Sequence, residues 1–152
     1  MYLYHMKYIL LFAACFCLAQ SASACRCMPL PALDSLSQLK DYDFIARVKI
    51  VKDGGQVTGG NRGRLKIKVV ERFKGKRRTV IYEMAKGTSC DMFITKGQEW
   101  LVFGKMENGR LVIGPCDRNV MYRTGRNSEN AVAGDRRELL EKLREFYGRD
   151  AS

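Results

Sequence analysis

Apolar residues recur along this chain at two spacings. In Phe44-Ile45-Ala46-Arg47-Val48-Lys49-Ile50-Val51 and Leu65-Lys66-Ile67-Lys68-Val69-Val70 they alternate with polar residues and are rich in β-branched types, which predicts two strands. Leu65, Ile67 and Val69 would share one face of the second. Thr79-Val80-Ile81-Tyr82, Trp100-Leu101-Val102-Phe103-Gly104 and Leu111-Val112-Ile113 predict three more. A glycine-rich stretch from Asp53-Gly54-Gly55 to Gly59-Gly60-Asn61 reads as the turn between the first two strands. Asn108-Gly109 is the strongest short hairpin signal, and it joins the last two. Leu33, Leu36, Leu39 and Tyr42 recur instead at helical spacing and predict a short N-terminal helix. Leu139, Leu140, Leu143, Phe146 and Tyr147 form one apolar stripe of a C-terminal helix over about 135–147, with Asp135 as N-cap and Glu138 completing a capping box. That stripe is expected to cover the core. Phe44, Tyr82, Trp100 and Phe103 are expected inside it. The pattern as a whole predicts a mainly β domain: a five-stranded OB-type Greek-key barrel with a helix towards each end.

Ahead of these elements, Lys7 precedes an apolar run from Tyr8 to Ala19, too short to span a bilayer. Ala22-Ser23-Ala24 supplies a small-x-small cleavage pattern, so residues 1–24 read as a signal peptide, with Met6 an alternative start. Cleavage leaves one domain, residues 25–152, with the barrel at about 25–118. It also removes His5, the only histidine. No Ser-His-Asp triad, Cys-His pair or histidine-bearing zinc site can then form, and no enzyme activity or cofactor is expected. The mature net charge is +10, from 26 basic and 16 acidic residues.

Cys15 and Cys17 leave with the signal, and Cys25, Cys27, Cys90 and Cys116 remain. An even count in an exported chain reads as two disulfides. Cysteines at i and i+2 of an extended segment point to opposite sides, so Cys25 and Cys27 must each bridge to a distant partner. Only Cys90 and Cys116 are available. Each bridge would remove about 4 kcal/mol of unfolded-state freedom. Ser23-Ala24-Cys25 also fits a bacterial lipobox, with Ala22 where leucine is usual; lipidation of Cys25 would leave one thiol unpaired. Export to the extracellular space is expected, or to the periplasm or outer surface in a bacterium.

Cys25-Arg26-Cys27-Met28-Pro29 resembles the opening of the tissue inhibitors of metalloproteinases (the TIMP family, within the netrin-like superfamily), whose chains begin Cys-x-Cys-x-Pro after signal cleavage. Asp43-Phe44-Ile45-Ala46-Arg47-Val48-Lys49 is similar to their first strand and Phe73-Lys74-Gly75 to the end of their second. Gly87-Thr88-Ser89-Cys90 is similar to their connector, and the segment from Gln98 to Cys116 to their strand-hairpin-strand-cysteine unit. The resemblance spans about residues 25–118. It implies a disulfide-stapled OB barrel with Cys25–Cys90 and Cys27–Cys116 bridges. It further implies a monomeric, stoichiometric inhibitor whose partner is a zinc metalloendopeptidase. The Cys25 amine and carbonyl oxygen would chelate the partner's zinc in trans. Arg26 would enter the primary specificity pocket, Cys27, Met28 and Pro29 would lie along the cleft, and Thr88, Ser89 and Cys90 would form an adjoining ridge. Animal members carry a small residue at the Arg26 position, more disulfides and a second cysteine-rich domain. An always-charged guanidinium fits an acidic or solvent-open pocket better than an apolar one.

Arg62, Arg64, Lys66, Lys68, Arg72, Lys74, Lys76, Arg77 and Arg78 lie within 17 residues, opposed only by Glu71. Alternation puts Lys66 and Lys68 together on an outer face. This stretch, Arg72 aside, is the candidate contact for an anionic polysaccharide or surface, and export argues against nucleic acid. A netrin-like binding module using that basic face, with or without a lipid anchor, is the alternative to an inhibitor. Glu71, Glu83, Asp91 and Glu99 show no paired or metal-ligand spacing.

Overall fold

β1 (Phe44–Gln56) is the strand on which the barrel closes, pairing with β2 (Gly63–Lys74) on one side and β4 (Glu99–Glu107) on the other. The structure, a computed structural model, describes residues 25–56, 62–123 and 133–148. The expected signal segment and residues 57–61 of the expected glycine turn lie outside the described residues. From β2 the sheet continues through β3 (Val80–Glu83), parallel to β5 (Arg110–Ile113), which pairs back to β4. The order β1-β2-β3-β5-β4-β1 is a closed five-stranded OB barrel. Four register shifts along β1–β2 let these long strands curl.

Two faces of the same strands are apolar, and this explains their runs. Phe44, Ala46, Val48 and Ile50 point into the barrel with Leu65, Ile67, Ile81, Trp100, Val102, Leu111 and Ile113. Ile45, Leu101 and Phe103 point the other way, into a second core with Leu33, Leu39, Tyr42, Phe73, Leu140 and Leu143. The C-terminal helix, α1 (Ala133–Tyr147), covers that second core with the expected stripe.

Several expectations are corrected. The N-terminal helix is a single 3-10 turn, Leu36–Leu39, in which Leu36 is exposed. Ser35 and Gln38 box it, and Leu33, Leu39 and Tyr42 do the burying. Asp53-Gly54-Gly55 belongs to β1, where Asp53 pairs with Leu65 of β2. α1 begins at Ala133, so Asp135 lies inside the helix. A sixth strand, β6 (Val120–Arg123), adds to β4 opposite Glu99, Trp100 and Leu101. Tyr82 is half-buried with the Arg110 guanidinium 5.2 Å from its ring centroid.

Candidate functional site

Residues 25–30 form no helix or strand, and every one is exposed. Met28 is 87% exposed, and Leu33 is the first buried side chain among the described residues. Two disulfides hold this segment: Cys25–Cys90 and Cys27–Cys116, each with Cα atoms 5.2 Å apart. This is the pairing implied by the resemblance. The sulfurs of Cys25, Cys27 and Cys116 lie within 4.8 Å of one another, so the bridges stand side by side. Oxidised sulfurs offer no thiolate, and this cluster is a staple rather than a metal centre.

Each anchor sits on a braced turn. Cys116 follows β5 at a turn where Asp117 Oδ2 accepts the Gly114 N–H at 2.8 Å, and Asn119 ties the Gly114 carbonyl to the Phe103 N–H. Cys90 lies in the connector between β3 and β4. There Thr88 Oγ1 donates to the Ala85 carbonyl at 2.7 Å and accepts the Cys90 N–H at 3.1 Å. Asp91 accepts N–H groups from both flanks, Gly87 at 2.8 Å and Phe93 at 2.7 Å. Glu83, at the end of β3, is fully buried and accepts the Met92 N–H at 3.0 Å.

The electrostatics of this brace are concentrated. Lys86 Nζ lies 3.6 Å from Glu83, 3.7 Å from Asp53 and 3.8 Å from Asp91. Burial, reinforced by the neighbouring Asp91 carboxyl, pushes Glu83 up to about 7 against the pull of Lys86 and the Met92 N–H. Burial opposes ionisation of Asp91 too, but the Gly87 and Phe93 N–H groups, with Glu83 and Lys86, together outweigh it and hold that carboxyl below its ordinary value. Glu83 and Asp91 thus meet at Lys86 in the folded connector, a proximity that their sequence spacing does not show. Part of the signal was local: Glu83 is in phase with buried Ile81 on β3. Asp91 and Lys86 reach it only through the loop's fold.

The Cys25–Cys90 bridge ties the connector that carries Thr88, Ser89 and Cys90 to the N-terminal segment. Phe93, not singled out in the sequence, is 71% exposed in the same connector with φ +52°. The basic stretch divides by its contacts. Arg62 pairs with Glu107 at 2.8 Å, and Lys74 donates to the Leu39 and Lys40 carbonyls at 2.9 and 3.2 Å. Arg78 lies against Met106 Sδ at 3.7 Å. These three side chains have partners within the fold. Arg64, Lys66 and Lys68 project from β2, and Lys76 and Arg77 lie exposed on the turn after it. Compared with known proteins, the chain matches no protein-family model and no curated protein.

Proposed function

We propose that the chain, processed after Ala24, inhibits a zinc metalloendopeptidase through its Cys25 terminus. One observation carries this reading: an exposed pentapeptide, Cys25 to Pro29, is anchored at two points to braced turns of a barrel. Chain termini are ordinarily the loosest part of a domain. A wedge ordered before docking loses little entropy when it binds. A catalytic zinc keeps a position open for water. The Cys25 amine and carbonyl oxygen, held adjacent by the first bridge, suit that position. An α-amine has an ordinary pKa of about 7.7–8.0, so its lone pair is accessible near neutral pH. Arg26, Met28 and the Thr88–Cys90 ridge then supply contacts along the cleft. Two disulfides also fit an oxidising, extracellular setting.

The test is inhibition of a matrix-type metalloproteinase by the protein with a free Cys25 amine. Acetylating that amine should abolish inhibition without altering thermal stability. Arg26→Thr should strengthen inhibition of a protease with an apolar pocket tenfold or more, since a guanidinium no longer has to be desolvated. Equal inhibition by the acetylated protein would overturn the mechanism.

A further inference from the structure

The β1–β2 ribbon places Lys49 opposite Lys68 and Lys52 opposite Lys66. Directly opposed residues of an antiparallel pair project to the same side, with Cβ atoms about 5 Å apart, and like charges there are destabilising. A register shift between Ile50 and Lys52 inserts Val51 and brings Lys52, rather than Val51, opposite Lys66. Bulges re-aim side chains in this way. All four lysines are exposed, as is Arg64, the next outward position along β2. None of the five makes a salt bridge or side-chain hydrogen bond among the described residues. The neighbouring acids are accounted for. Glu71 is taken by Arg144 and Arg47 and Asp53 faces Lys86, while Glu99, opposite Lys49 on β4, projects beside Lys49 as the one acid among the positions opposed to these five.

We propose that the outer face of the β1–β2 ribbon is a binding site for a linear anionic polysaccharide, contacted by Lys49, Lys52, Arg64, Lys66 and Lys68. Outward positions on a strand repeat every ~6.6–6.8 Å, so these cations form two rows suited to a chain of repeating anionic groups. The strand 2–3 face of OB barrels is a recurrent oligosaccharide surface. Single-stranded nucleic acid would need open aromatic platforms, and Tyr82, opposite Arg64, is covered by Arg110. A bilayer would call for long apolar or aromatic anchors, whereas the exposed apolar neighbours here are Val51 and Val70. None of the five belongs to the Cys25 ridge.

Heparin is the probe, titrated against the full exported protein over a salt series. Replacing Lys49, Lys66 and Lys68 together by serine should weaken binding at least tenfold. It should also flatten the log–log salt dependence by about 2, by analogy with the ~0.7–0.9 per neutralised charge on nucleic acids. A matched triple change of the exposed Lys76, Arg77 and Lys96 should cost under threefold. Because the ladder substitutions remove like-charge pairs, their melting temperature should hold or rise. Equal losses from both triples would mean net charge alone attracts heparin, and a lower melting temperature would mean the lysines serve the fold; either overturns the proposal. Tighter ladder-dependent binding of phosphatidylserine vesicles or of a single-stranded oligonucleotide would overturn the assignment to polysaccharide.

Discussion

A buried carboxyl costs stability whenever it must ionise, and Glu83 is fully buried beneath the connector. Its pKa is raised from an ordinary 4.5 to about 7. Between those values the folded state holds a proton that the unfolded state has lost, so Glu83's contribution is full below 4.5 and fades as pH rises through 7. Asp91 and Glu71, both held low, act in the opposite sense: they stabilise above their ordinary values of 3.8 and 4.5 and cease to do so as pH falls. Glu83→Gln can keep the Met92 bond without ionising. Its melting temperature relative to the parent should therefore climb by several degrees from pH 5 to pH 8. An offset that stays constant across that range would show that Glu83 does not titrate there. At Gly75 the constraint is steric. Its φ of +85° favours glycine, and a Cβ would overlap the Asp43 carbonyl oxygen.

At the scale of elements, α1 is attached to the barrel in two ways. Arg144 donates from Nε and Nη2 to both oxygens of Glu71 on β2, at 2.8 and 2.9 Å. Leu140 and Leu143 fill the second core. A partly buried bidentate pair of this kind contributes about 1 kcal/mol, whereas truncating a buried leucine costs about 2–5 kcal/mol. Denaturant titration should accordingly find Leu143→Ala at least twice as destabilising as Glu71→Ala. The reverse order would mean that charge, not burial, docks the helix. The stripe was legible in sequence because helical spacing alone aligns Leu139, Leu140, Leu143, Phe146 and Tyr147. β6 was not, because Val120–Arg123 is short and its pairing depends on β4 presenting an edge. Asn108-Gly109 was legible for a local reason: φ values of +50° and +75° suit these two residues.

For the molecule as a whole, the two bridges span sequence separations of 65 and 89 residues and join the N-terminal segment to both sides of the β4–β5 hairpin. On the loop-entropy model each is worth about 4.5 kcal/mol. Replacing Cys27 and Cys116 together by serine should lower stability by about 2–5 kcal/mol in denaturant titration. Under the proposed function it should also weaken protease inhibition beyond that, because the wedge would hinge on Cys25 alone. Inhibition unchanged in the folded variant would show that the second anchor does not preorganise the site.

What the sequence by itself determined is whatever rests on short-range periodicity and covalent chemistry. Alternation marks the five barrel strands, a two-residue signal marks the hairpin, and cysteines at i and i+2 dictate two long-range staples. Tertiary structure alone decided which charges remain available. Arg62, Lys74 and Arg78 are claimed by Glu107, backbone carbonyls and Met106, while Lys49 and Lys52, one strand away from the basic run, join Lys66 and Lys68. It also decided that Glu83, Lys86 and Asp91 meet. The physical reason is common to both: solvation and pairing of a charge depend on which chain segments lie within a few ångströms, and cross-strand register sets that distance.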